Sequence, residues 1–403
     1  MYCAYITTLK GLRKHSNADR LQCVEVFGQN VIVDLSYQEG QKVVFFPSDG
    51  QLSLEYATDN NLVRKKDENG NNIGGYMDAE KRNVTAIRLR GEKSEGLVLP
   101  IETLAKYTDI SKLKDGDQIT VLGGHEICQK YIPRGKNRSR GNGNNSNKKN
   151  KFRKETVSYP FFEEHKDTAQ LAYNMSAFKP GDTIYITRKL HGTSARTMKT
   201  VKVTKKNSKL RKFLHMQPKV TREVSVVSGS RRVVLKDMTK NDGYYSDNGF
   251  RKKYHDLLKD KLPEGAEIFY EIVGYVNKTT PIMGSVSNKG VKEKEFTKKF
   301  GDTTTFSYSC EPGENEMYVY RMTMTTADGT VVEVPWETVE VWCDKLGVKH
   351  VPDLEKFIFT TPEDLKERVN KYLDGMPADE IGKTHVAEGV VVRICLLYTS
   401  DAA

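Results

Sequence analysis

The chain has 403 residues, 64 of them Lys or Arg against 53 Asp or Glu, for a formal net charge of +11. That length calls for two hydrophobic cores rather than one, and the positive excess favours an anionic partner, nucleic acid foremost. Composition also excludes several classes. Cys3, Cys23, Cys128, Cys310, Cys343 and Cys395 are scattered without paired spacing, so no disulfide framework is expected, and only His125 with Cys128 offers half of a zinc site. Reduced thiols in a cytoplasmic protein are the expectation. No signal-peptide core follows Lys10 and Arg13, and apolar runs such as Val43-Val-Phe-Phe46 are too short to span a bilayer.

Residues 1–130 read as a β-rich module. Segments 2–9, 21–27, 31–35, 42–46, 85–90 and 96–100 are short runs of β-branched and aromatic residues between Asn, Asp and Gly turns. Short strands at this density suggest a small closed barrel, with an oligonucleotide-binding (OB) fold as the candidate, since such barrels bind single strands on basic and aromatic faces. Arg88 and Arg90 fit such a face and fit equally well as solvated strand residues.

Residues 131–155 change character. From Arg134 to Lys154 there are nine Lys or Arg, no acid, and one large apolar residue, which is too little apolar surface to fold on. A flexible basic linker is expected here, able to add phosphate contacts.

A third region, 156–403, carries the chemistry. Ile184-Tyr-Ile-Thr-Arg-Lys189-Leu-His-Gly192-Thr-Ser194 alternates apolar residues straight into a lysine, a glycine turn and two hydroxyls, which presents one amine at the end of a strand. Downstream lie Val227-Ser-Gly-Ser-Arg231-Arg232, Ile268-Phe-Tyr-Glu271-Ile-Val-Gly274, Tyr318-Val-Tyr320-Arg-Met and Ala387-Glu388-Gly-Val-Val-Val-Arg393, each on a strand-like run. Residues 335–347 and 362–373 read as amphipathic helices with Pro or acidic starts and a glycine beyond their ends.

The lysine stretch resembles motif I (Lys-x-Asp-Gly) of the covalent nucleotidyltransferases, the superfamily of RNA ligases, DNA ligases and mRNA capping enzymes. The four later segments resemble that superfamily's motifs Ia, III, IIIa and IV, in order. Ile87-Arg-Leu-Arg90-Gly-Glu-Lys-Ser94-Glu-Gly96-Leu-Val-Leu-Pro100 is similar to the N-terminal module of one branch of ATP-dependent RNA ligases, in which an OB domain precedes the catalytic domain. DNA ligases and capping enzymes, the alternatives, place that domain after the last motif. A non-catalytic nucleic-acid-binding relative is the other alternative.

The resemblance implies an α+β catalytic domain built on antiparallel sheets with flanking helices. It implies an enzyme that uses ATP with Mg²⁺ or Mn²⁺ to seal 5′-phosphate and 3′-hydroxyl ends in nicked RNA or RNA/DNA duplexes, in RNA repair and as a monomer. Lys189 would be the nucleophile. Glu388 would hold the metal, Glu271 would contact the ribose or the lysyl-nucleotide, Tyr320 would stack on adenine, and Arg231 would contact a phosphate, with Arg232 not distinguished from it. Gly192 is the motif I glycine of the ATP site. A lysine attacks only when deprotonated, so its ordinary pKa of about 10.4 must fall; Arg188, Arg231 and the metal are the candidate charges.

Two departures stand out. His191 occupies the usual Asp position. Motif V, a segment with lysines that reach the triphosphate or α-phosphate, finds no lysine among the residues after Arg393, so a truncated or foreign terminus is expected there.

Overall fold

The structure, a computed structural model of the chain, describes residues 2–131, 155–162, 168–208, 217–231, 233–235, 245, 249–289 and 294–395, apart from the side chains at 66, 72 and 294. Most of the basic segment at 131–155, Arg232, the lysines at 209, 212 and 292 with Arg211, and the terminal 396–403 lie outside the described residues. The chain divides into two compact units, Met1–Ser146 with Asp167–Tyr173, and Asn147–Lys166 with Asn174–Ala403. Both mix helices with mostly antiparallel sheets. No helix among the described residues is long and apolar enough to cross a membrane.

In the first unit, β1 (Ala4–Thr8) and β2 (Leu21–Val26) are followed by β3 (Gln29–Asp34), β4 (Lys42–Phe46), β5 (Ile87–Leu89), β6 (Glu92–Ser94), β7 (Leu97–Pro100) and β8 (Gln118–Ile119). One sheet runs β7-β4-β1-β8. Alternation along β4 sends Val44 and Phe46 into one core with Ile6, Leu52, Tyr56 and Leu104, and Val43 and Phe45 into another with Val24, Val31 and Val33. This corrects the expectation of a closed barrel. The described strands do not pair into one ring, and the β7-β4-β1-β8 sheet carries an apolar core on each face. Tyr173, from the returning segment, stacks on Tyr5 with ring centroids 4.7 Å apart.

In the second unit, β9 (Thr183–Lys189) is the middle strand of a three-stranded sheet between β14 (Asp353–Ile358) and β15 (Gly389–Ile394). The larger sheet has eight strands. At its centre β10 (Thr193–Lys206) lies between β11 (Lys219–Ser230) and β12 (Ala266–Gly274), and β12 pairs in turn with β13 (Asn315–Thr325). Helix α1 (Gly249–Leu258) packs Phe250, Tyr254 and Leu258 into the core beside this sheet. Helix α2 (Trp336–Leu346) buries Trp336, Val339, Cys343 and Leu346 at helical spacing and ends on Gly347 in the left-handed conformation, φ 69°. Helix α3 (Pro362–Lys371) is capped by the Thr361 hydroxyl, which accepts from the Asp364 N–H. Both helices fall where the sequence places them.

Candidate active site

β9 delivers Lys189 as its last residue, and the antiparallel register sets Lys189 opposite Gly389 at the start of β15. Glu388, one residue earlier, therefore arrives beside the amine: Lys189 Nζ donates to Glu388 Oε1. His191 Nδ1 stands 3.4 Å from the same oxygen, so the residue in the Asp position joins the lysine on one carboxylate. Burial alone would raise the Glu388 carboxyl, but hydrogen bonds from His191 and Lys189 outweigh it and hold the group below its ordinary value.

The turn between β9 and β10 is fixed from beneath. Gly192 N–H donates to Glu271 Oε1 at 3.1 Å, and the His191 N–H donates to the Tyr308 hydroxyl at 2.7 Å. A Cβ on Gly192 would stand 2.3 Å from the Ile272 carbonyl oxygen and 3.0 Å from Glu271 Cγ. Only glycine lets the turn approach β12 this closely. Glu271 pairs opposite Ser194 across β10 and β12. Its carboxyl is pushed up to about 8, first by burial and then by the Glu388 charge, against the Gly192 N–H, Lys189 and Arg251, which pull it down. The two carboxyl groups are near enough for the Glu388 charge to oppose ionisation of Glu271.

Tyr320 sits where the pairing of β12 with β13 shifts register between Phe269 and Tyr270. Such a bulge re-aims a side chain, and here the Tyr320 hydroxyl meets Ser194 Oγ at 2.8 Å. Burial pushes its phenol up to about 12, leaving a neutral ring. Arg231 is exposed just past the end of β11, and its charge lowers the Tyr320 phenol. Lys189 is thus bonded to Glu388 and Gly192 to Glu271, and the two pairs influence each other through charge; Tyr320 and Arg231 stand farther along the larger sheet.

Arg188 does not play the part expected of it. Alternation along β9 turns it to the face opposite Lys189, where it is 2% exposed and bonds both oxygens of Glu380, with Nε to Oε2 at 2.6 Å, and the Gly389 carbonyl at 3.2 Å. Its charge is matched there and fastens the segment leading into Glu388. The half zinc site dissolves as well: His125 Nδ1 is 3.0 Å from Glu55 Oε2, and the buried Cys128 thiol donates to the Ile119 carbonyl.

The sequence gives no warning of Tyr308, Glu380 or Arg251. Arg251, on α1 and 6% exposed, donates from Nη2 to Thr193 Oγ1 at 2.8 Å. The spacing from Arg251 to the Gly192-Thr193 turn is too long for any local pattern to reveal the contact.

No curated protein matches the chain. Among solved structures, the Naegleria gruberi RNA ligase is similar in fold. A lysine-to-methionine mutant with AMP and Mn superposes with a TM-score of 0.53 at 16% identity, covering 97% of this chain and 93% of that one. The same ligase with PPi gives the same TM-score, identity and coverage, and a lysine-to-alanine mutant with ATP and Mn gives 0.53 at 15% identity over 98% and 93%. The family model described as RNA ligase matches residues 182–396, more than half of the chain. That span opens just before the Lys189 strand and closes just after the Glu388 strand, so the contacts that build the site and the residues that match coincide: the chain belongs to the RNA ligase family.

Proposed function

We propose that the chain is an ATP-dependent RNA ligase that becomes adenylylated on Lys189, passes AMP to a 5′-phosphate end and joins that end to a 3′-hydroxyl with release of AMP. The observation that carries this reading is the convergence of Lys189, Glu388 and Glu271 on one turn. In the first step the Lys189 amine, freed of its extra proton, attacks the α-phosphorus of ATP; the nitrogen to phosphorus bond forms as the bond to pyrophosphate breaks. Glu388 would hold Mg²⁺ or Mn²⁺, which supplies neutralising charge at the phosphate. The solved Naegleria gruberi ligase with ATP and Mn supports that pairing of cofactors.

Glu271, held against the Gly192 turn, would contact the ribose or the lysyl-nucleotide. Tyr320 offers a neutral ring to adenine, and Arg231 a guanidinium to a phosphate. Residues 1–130 would engage the nucleic-acid strand, 131–155 would lend basic charge, and 156–403 would catalyse. Nicked RNA or RNA/DNA duplexes are the proposed substrates, in RNA repair, with the protein acting as a cytoplasmic monomer.

The experiment is transfer of radiolabel from α-labelled ATP to the protein, followed by sealing of a 5′-phosphorylated nicked duplex. Label on Lys189 and a joined product support the reading. Absence of any covalent nucleotide in the presence of Mg²⁺ or Mn²⁺ sinks it.

A further inference from the structure

The β5–β6 hairpin turns on Arg90 and Gly91. Leu89 pairs with Glu92, leaving a two-residue connection in which φ is +48° at Arg90 and +99° at Gly91. Two positive values mark the mirror-image turn that matches strand twist, and its first position suits Asn, Asp or Gly. An arginine there costs about 1 kcal/mol of backbone strain.

The surrounding segments hold the hairpin in place. His15 Nε2 bonds the Leu89 carbonyl at 3.1 Å while its Nδ1 accepts from the Asn17 N–H at 3.0 Å. Asn17 Nδ2 donates to the Arg90 carbonyl at 3.4 Å, and Asn30 Nδ2 to the Lys93 carbonyl at 2.6 Å. Glu92 accepts from Arg13 Nη2 at 2.9 Å, from the Ser16 N–H at 2.9 Å and from the Cys23 thiol at 3.3 Å. The bond from Arg13 leads those that keep the Glu92 carboxyl well below the usual range. His15, Cys23 and Glu92 are close enough together to hold a metal ion, yet these bonds occupy both histidine nitrogens, the thiol and both carboxylate oxygens. The cluster is a brace.

What the brace presents is cationic. Arg88 and Arg90 are both exposed. Arg88 Nη1 donates to the Gly91 carbonyl at 3.3 Å, and among the described residues neither guanidinium has a carboxylate partner, whereas Lys93 beside them is paired with Glu95 at 2.6 Å. A guanidinium matches a phosphate in shape and charge, and a tip ordered beforehand loses little freedom on binding.

We propose that the tip of this hairpin is a phosphate-binding site for the backbone of the RNA substrate, with Arg88 and Arg90 as its contacts. This rests on the strand-joining reading above and adds the place where the first unit touches the strand.

Arg90→Asn separates charge from fold, since asparagine is at ease in the left-handed conformation. Its melting temperature should equal or exceed that of the parent protein. Affinity for a 5′-phosphorylated nicked RNA duplex should fall several-fold at low salt, and the slope of log K against log salt should flatten by about 0.9, or about twice that in Arg88→Gln/Arg90→Asn. Lysine labelling from ATP without nucleic acid should not change. Unaltered affinity and slope in the folded double variant would overturn the proposal, as would equal weakening by Lys112→Gln, an exposed charge outside the hairpin. A protein that takes no label from ATP but shows the flattened slope refutes the ligase reading and leaves this site standing.

Discussion

Lys189 and Glu388, 199 residues apart in the chain, share a hydrogen bond because β9 and β15 run antiparallel in a register that places Lys189 opposite Gly389. The amine and the carboxylate are therefore one unit. Lys189→Ala should abolish covalent adenylylation, checked by label transfer from α-labelled ATP. Glu388→Ala should slow the same step by about a hundredfold or more, with only partial recovery at raised Mn²⁺. Wild-type labelling by Glu388→Ala at ordinary Mg²⁺ would remove Glu388 from the metal site.

Gly192→Ala tests the close approach of the turn to β12. With the new Cβ 2.3 Å from the Ile272 carbonyl oxygen, turn and strand must separate, costing about 1–3 kcal/mol of stability. The same shift breaks the bond from the Gly192 N–H to Glu271, so labelling should fall out of proportion to the melting temperature. Thermal melts and single-turnover labelling of one preparation would show whether both change.

Glu271 makes stability depend on pH. Its folded carboxyl is raised from the ordinary 4.5 to about 8, so the folded state binds the proton more tightly than the unfolded one. The stabilisation is complete below about pH 4.5 and is lost as pH rises toward 8. Glu271→Gln, which cannot ionise, should be nearly neutral at pH 5 and stabilising by about 1–2 kcal/mol at pH 8. Denaturant melts at the two pH values decide it; a gain independent of pH would place the strain elsewhere.

Arg188 and Glu380 form a pair whose loss should hurt the fold. Glu380→Ala leaves a 2%-exposed guanidinium without its carboxylate, an expected cost of about 2–4 kcal/mol. Glu388 should lose its alignment at the same time, since Arg188 also bonds the Gly389 carbonyl. Equal stability of Glu380→Ala and the parent in urea would show that Arg188 finds another partner.

Local signals in the sequence located much of this. The alternation before Lys189, the apolar runs around Glu271, Tyr320 and Glu388, and the caps of α2 and α3 are properties of neighbouring residues, and the structure places strands and helices there. Long-range facts were hidden. Whether Arg188 acts on Lys189 or on Glu380 depends on which face of β9 it takes and on what the chain brings to that face 192 residues later. The ionisation of Glu271 depends on burial and on Glu388, neither visible from its own strand. The barrel expectation failed for a related reason: alternating apolar residues along β4 show that both faces are covered, but not by what.

The distance along the chain between amine and carboxylate also has a meaning in time. During synthesis at about 5–20 residues per second, Lys189 emerges some 10–40 seconds before Glu388. Until β15 docks, Lys189 has neither Glu388 nor the turn's full set of contacts. Under the proposed adenylylation at Lys189, a nascent chain that already carries the lysine is chemically silent, and competence arrives late, with the docking of a single edge strand.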